Sequence, residues 1–237
     1  MVIGILQADY VREPQSDEFD DYPDMFKQLL WAVDDSLEFR VYRMIDEVFP
    51  DDIHECDGYV MTGSRAGVYD DLPWISTARQ LLATLIEACI PVVGICFGHQ
   101  LLAQAIGGRS EKFSGGWGQG LHRWEIETLP WWMEEKPDHF SLLVSHQDQV
   151  TALPEGATRV ASSDFCANAV FQYGEYALGF QGHPEFSKDF SRAIMDMRRE
   201  MIGEQVYCDG MESLMNDPDT STVARWMVRF LRGQNGK

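Results

Sequence analysis

Residues 91–108 read PVVGICFGHQLLAQAIGG: a short β-branched run, a cysteine between two glycines, then apolar residues at helical spacing. A buried strand that runs straight into a helix is the building unit of a parallel sheet covered by helices. The N-terminal half repeats the alternation. VIGILQA at 2–8 suits a buried strand, and PDMFKQLLWAVDD at 23–35 a helix with Asp24 as candidate cap. LEFRVYRM at 37–44 alternates as a second strand, and GYVMTGS at 58–64 is a third that ends in a Gly/Ser turn. PWISTARQLLATLIEAC at 73–89 is a long amphipathic helix. The helix that begins near residue 98 stops at Gly107 and Gly108, as a C-terminal glycine usually dictates.

After residue 110 the apolar runs shorten. HRWEIETL, HFSLLVSH, TRVASS, NAVFQY and YALGFQ read as strands, with QYGEYA as a hairpin turn. Helices follow over SKDFSRAIMDMRREMI and TSTVARWMVRFLRG. Trp117, Trp124, Trp131 and Trp132 are expected to be packing residues or part of a lid. The acidic stretch EPQSDEFDDYPD at 13–24 reads as a polar loop before a helix. The expectation is an α/β fold: an open, mostly parallel twisted sheet with helices on both faces, one domain over 1–237.

The cysteine at the break explains the glycines. Gly94-Ile95-Cys96-Phe97-Gly98 is a G-x-C-x-G turn between a strand and a helix, the setting of a nucleophile elbow. Glycines on either side let two backbone segments approach closely. The following helix points its N-terminus at the sulfur, and its dipole and free N–H groups favour negative charge there. The Phe97 amide is placed to hold an oxyanion. Cys89, in the preceding helix, is expected to be a buried structural cysteine.

A thiol nucleophile needs a base, and the base needs an orienting group. His54, His122 and His139 lie in polar segments with no supporting motif; His99 sits on the helix after the cysteine; His146 ends a strand. His183 follows a buried strand, and Pro184 biases it towards an extended conformation. Glu185, two residues on, then returns to the same side. His183 and Glu185 are therefore the best base-and-orienter pair.

The net charge of −19 opposes binding to nucleic acid or to anionic lipid. No apolar run approaches the ~20 residues of a membrane span. The start lacks the basic region of a secretory signal, and the five cysteines form no zinc-type pattern, so a reduced, cytoplasmic setting is expected.

PVVGICFGHQLLAQAIGG together with GFQGHPEF resembles the class I glutamine amidotransferases, notably the glutaminase domain of GMP synthetase. VMTGS and SHQDQV fall in the family's order, so the resemblance spans almost the whole chain. It implies an open α/β sheet of flavodoxin-like kind and a Cys96, His183, Glu185 triad, with no cofactor and no metal. It implies oxyanion donors on the backbone of Phe97 and of the Gly63–Ser64 turn. Gln100 falls on the glutamine-recognition position, and Ser145, His146, Gln147 and Asp148 on the stretch that contacts the α-amino and α-carboxylate ends. Gln147 departs from the S-H-G-D pattern of GMP synthetases and is expected to reshape the pocket mouth.

No ammonia-using domain is legible in the 237 residues, which is similar to free-standing relatives. The expected function is hydrolysis of a γ-glutamyl amide bond, in glutamine or a γ-glutamyl compound, through a glutamyl thioester. The alternatives are a glutaminase subunit feeding ammonia to a synthetase partner, and a non-catalytic interaction protein of the same fold. A cysteine-containing α/β-hydrolase fits less well, because its acid should precede the histidine by a long way.

Overall fold

The computed structural model describes residues 1–233. In chain order the elements are β1 (Val2–Gln7), α1 (Tyr22–Trp31), β2 (Glu38–Arg43), β3 (Gly58–Met61), α2 (Pro73–Glu87), β4 (Val92–Ile95) and α3 (Phe97–Ala105). Then come β5 (Arg109–Lys112), β6 (Gly118–Ile126), β7 (His139–His146), β8 (Asp148–Ala152), β9 (Ala157–Ser162), β10 (Val170–Tyr173) and β11 (Ala177–Phe180). The helices α4 (Lys188–Ile202), α5 (Glu204–Ser213) and α6 (Thr220–Arg232) close the described chain.

One nine-stranded sheet has the order β2-β1-β3-β4-β11-β10-β9-β6-β7. Its first five strands are parallel neighbours, and the remaining four extend them antiparallel. The antiparallel pair β5–β8, whose strands are separated in sequence by β6 and β7, stands apart as a second, two-stranded sheet. The parallel strands β1, β3, β4 and β11 are almost entirely buried, as strands with helices on both faces must be.

Helices α1 and α6 cover one face, and α2 and α3 the other. Helix α6 shows why: Val223, Trp226, Met227, Phe230 and Leu231 recur at helical spacing and are all buried. Trp226 packs on Trp132 and Phe140, and Phe140 on Trp124, each with ring centroids under 6 Å apart. Such pairs add ~0.5–1.5 kcal/mol each beyond their burial. Trp124 and Trp132 are thus core residues, Trp131 packs against them, and only Trp117 faces an open cleft.

Some expectations need correction. The cap position of α1 falls on Asp21, not Asp24. Asp21 makes no cap bond, because its carboxylate already accepts from Val11 N–H and Gln7 Nε2; Asp24 lies in the first turn and pairs with Lys27. Cys89 is exposed, not buried: α2 ends at Glu87, and Cys89 takes a positive φ in the turn that follows. The strands β5 and β8 and helix α5 have no counterpart in the sequence reading. β5 is RSEK, charged and mostly exposed, so it carries no alternation. Helix α5 fully buries only Gly210, and its apolar contacts are the partly buried Val206, Tyr207 and Met211, a short and weak face.

Candidate active site

The turn from β4 into α3 projects Cys96 from the C-terminal edge of the parallel strands, where α/β folds place their sites. Its backbone has φ 51° and ψ −101°, a left-handed strained conformation for a residue with a side chain. Close packing holds it there. A Cβ on Gly94 would lie 2.4 Å from the Gly98 carbonyl oxygen, and one on Gly98 would lie 2.6 Å from the Met61 carbonyl oxygen. The flanking glycines therefore let α3 press directly onto β3 and β4. Cys96 N–H donates to Phe180 O (2.8 Å), and Gln100 N–H to Cys96 O (3.0 Å), which ties the turn to β11 and the helix.

His183 follows β11 and is bound to β7 through its N–H to Leu143 O (2.8 Å). Its ring Nδ1 meets Glu185 Oε1 at 2.7 Å and stacks on Phe186, centroids 3.9 Å apart. Histidine and carboxylate are both buried. Burial alone would push the imidazole down; the Glu185 carboxylate and the Cys96 sulfur together more than offset it, so the pKa of His183 is raised. The sulfur also accepts from Gln181 Nε2 (3.6 Å), a contact that sequence reasoning missed although Gln181 lies in GFQGHPEF.

Gly63 lies against both groups: a Cβ there would be 2.9 Å from His183 Cε1 and 3.6 Å from Cys96 Cβ. The N–H groups of Gly63, Ser64 and Phe97 have no acceptor among the described residues. The loop that carries Gly63 and Ser64 is held by Asp9, just beyond β1. That buried carboxylate accepts from Arg65 N–H (3.0 Å), Nε (2.8 Å) and Nη2 (2.9 Å). Burial would raise the Asp9 carboxyl; the Arg65 bonds prevail and lower it.

A cleft of about 530 Å³ opens over the sulfur, with Gln100 and residues 145–148 in its wall. Gln100 Nε2 donates to Asp148 O (2.8 Å) and to Gln181 Oε1 (3.2 Å). The Asp148 carboxylate accepts from Tyr69 O–H, and Ser145 Oγ from Arg198 Nη1. Gln147 donates to Phe113 O (3.3 Å) at the cleft margin. His146 Nδ1 meets Asp148 O (3.1 Å), and burial pushes its pKa down to about 3. His99 is fully buried against Phe171, and burial likewise pushes it down to about 3. Seven of the eleven singled-out positions, Ser64, Cys96, Gln100 and 145–148, line this cleft. Gly63 and His183 line the small recess that shares Ser64, Cys96 and Ser145 with it; Glu185 lies behind His183 as its bonded partner, and Phe97 is buried next to Cys96. Among the described residues no three His, Cys, Asp or Glu side chains could together hold a metal ion, and no helix is long and apolar enough to cross a membrane.

The sequence profile of the glutamine amidotransferase class-I family matches residues 21–196. γ-Glutamyl peptidase 5 of Arabidopsis thaliana is 32% identical over 212 residues, covering 85% of this chain and 84% of the relative. γ-Glutamyl peptidase 3 of the same plant is 33% identical over 207 residues, 83% of each chain. The crystal structure of a glutamine amidotransferase from Thermotoga maritima superposes with TM-score 0.74 at 22% identity, covering 97% of this chain and 98% of that one. The chain belongs to the class I glutamine amidotransferase family. It is an enzyme, a cysteine-dependent amidotransferase or hydrolase, which sets aside the non-catalytic alternative.

Proposed function

We propose that the protein hydrolyses γ-glutamyl amide bonds through Cys96, His183 and Glu185. The observation that carries this is the meeting, at one recess, of a strained elbow cysteine, a carboxylate-held histidine and the Gly63–Ser64 turn. The two Arabidopsis relatives are named γ-glutamyl peptidases, which supports the same substrate class.

The Cys96 thiolate attacks the side-chain carbonyl of the γ-glutamyl group, forming a C–S bond. The N–H groups of Gly63, Ser64 and Phe97 stabilise the tetrahedral oxyanion; one such donor is worth ~3 kcal/mol. His183, with its raised pKa, donates a proton to the departing amine as the C–N bond breaks. It then takes a proton from water, whose oxygen attacks the thioester and releases glutamate and the free thiol. Glu185 fixes the tautomer and ring orientation of His183. Gln100 and the 145–148 segment hold the glutamyl head group.

The purified chain is expected to turn over γ-glutamyl dipeptides or glutamine unaided. A panel assay with and without added cell extract tests this. Negligible activity alone, restored many-fold by a co-purifying synthetase, would favour the ammonia-delivering subunit.

A further inference from the structure

Arg198 is a guanidinium at the active-site cleft that forms no ion pair among the described residues. It projects from α4, half-buried, and lines both the main cleft and the smaller recess shared by Cys96, His183, Tyr22 and Phe186. No carboxylate among the described residues lies within 4 Å of it. Its protein partners are the neutral Ser145 hydroxyl at 2.7 Å and the face of Trp117, 5.6 Å from the ring centroid. Arg65, the other arginine of the recess, is already engaged by Asp9 in a fork of two bonds. An arginine carries five donors in a planar fork that matches a carboxylate, and most of those on Arg198 are unclaimed. In a chain of net charge −19, a cation left without an acid beside the sulfur needs a ligand to account for it.

Position decides which carboxylate. Gln100, Gln181 and Asp148 are bonded together on one side of the sulfur. Arg198 also lines the small recess with His183 and Cys96, which Gln100, Gln181 and Asp148 do not enter. The leaving amine must lie where His183 can protonate it, so the α-carboxylate of an amino acid departing as that amine falls within reach of the recess wall. Beyond it, Met197 and Met201, 51% and 66% exposed, stand beside Trp117 as an adaptable apolar rim.

We infer that Arg198 binds the α-carboxylate of the amine half of the substrate, so that the enzyme prefers γ-glutamyl dipeptides with an apolar second residue. This rests on the proposed γ-glutamyl chemistry and adds the identity of the leaving group.

The test compares γ-glutamyl-leucine with γ-glutamyl-leucinamide, which differ only in that carboxylate, with glutamine as a third substrate. The intact enzyme should favour the acid over the amide by about 10- to 100-fold in kcat/KM, mostly through KM, the discrimination of a charge-assisted bidentate bond. Arg198→Gln should bring the ratio close to one by raising KM for the acid, and Arg198→Lys should restore part of the preference. Thermal melts of both variants establish that they fold. No preference in the intact enzyme, or equal losses on both substrates in Arg198→Gln, would overturn the assignment. If Cys96-dependent cleavage of glutamine persists while neither leucine compound is cut, the leaving-group inference fails alone. If no γ-glutamyl substrate is cut, the proposed function fails with it.

Discussion

Gly63→Ala separates catalysis from folding. Gly63 does not occupy the left-handed region, so alanine can take its backbone conformation. The new methyl would sit 2.9 Å from His183 Cε1. That is about 0.6 Å inside the ~3.5 Å optimum for two carbons. The ring cannot yield freely, because Glu185 holds Nδ1 at 2.7 Å and Phe186 stacks 3.9 Å behind it. A forced shift on the order of 0.5 Å in the acid–base group, where 1 Å costs ~10²-fold, predicts a ~10- to 100-fold loss in kcat. KM should stay within about 3-fold, since Gln100 and the 145–148 wall are untouched, and overpacking should cost only ~1–2 kcal/mol in urea unfolding. Gly94→Ala is the contrast. Its methyl would lie 2.4 and 2.5 Å from backbone atoms of Gly98, which cannot swing aside, so folding itself is lost. Steady-state kinetics on a γ-glutamyl substrate and a melt of each variant suffice. A Gly63→Ala enzyme with intact fold and unchanged kcat would show that turnover does not depend on the position of His183, because the methyl cannot fit without moving that ring.

Cys96 and His183 should behave as one unit: His183→Ala should abolish turnover nearly as fully as Cys96→Ala, and the double variant should be little worse. Retained turnover in His183→Ala, with loss in His146→Ala, would identify a different base. Stability should fall in acid, because His99 and His146 are held neutral with pKa values near 3. Their contribution is complete above the unfolded value of ~6.5 and is lost as pH falls towards 3, at ~1.4 kcal/mol per pH unit for each group. His183, with its raised pKa, acts in the opposite window: its contribution is complete below ~6.5 and is lost as pH rises. Burial also pushes His122 down, to about 4, so three histidines share the acid limb. Urea midpoints between pH 4 and 7 measure it, and His99→Gln should remove about a third of the histidine slope; an unchanged slope would show that His99 is not held neutral.

The parallel half of the fold was legible because its strands are buried on both faces. VIGILQ, GYVM and VVGI are continuous apolar runs, and α2 carries an apolar face. The antiparallel extension was read as strands, but RSEK in β5 left no trace, since pairing with β8 is a backbone interaction that its exposed side chains do not record. Helix α5 is faint for a related reason: it packs closest through Gly210, whose lack of a side chain admits Met195 and Gln119, and otherwise through only three partly buried residues, Val206, Tyr207 and Met211. At the site, Cys96, His183 and Glu185 stand in compact motifs whose spacing implies geometry. Arg198 and the Asp9–Arg65 lock do not: Asp9 and Arg65 are 56 residues apart, and Arg198 looks like one more charge in a helix rich in them. Its lack of an acidic partner is a property of the folded chain alone.

The proposed reaction passes through a glutamyl thioester at Cys96. Turnover quenched in acid within the first catalytic cycles, followed by peptide mapping in a mass spectrometer, reports it directly. A single glutamyl adduct is expected on the peptide that carries Cys96, absent from Cys96→Ser and accumulating if His183 is replaced by a weaker base. An adduct on Cys56, Cys89, Cys166 or Cys208, or sustained turnover with Cys96 removed, would contradict it.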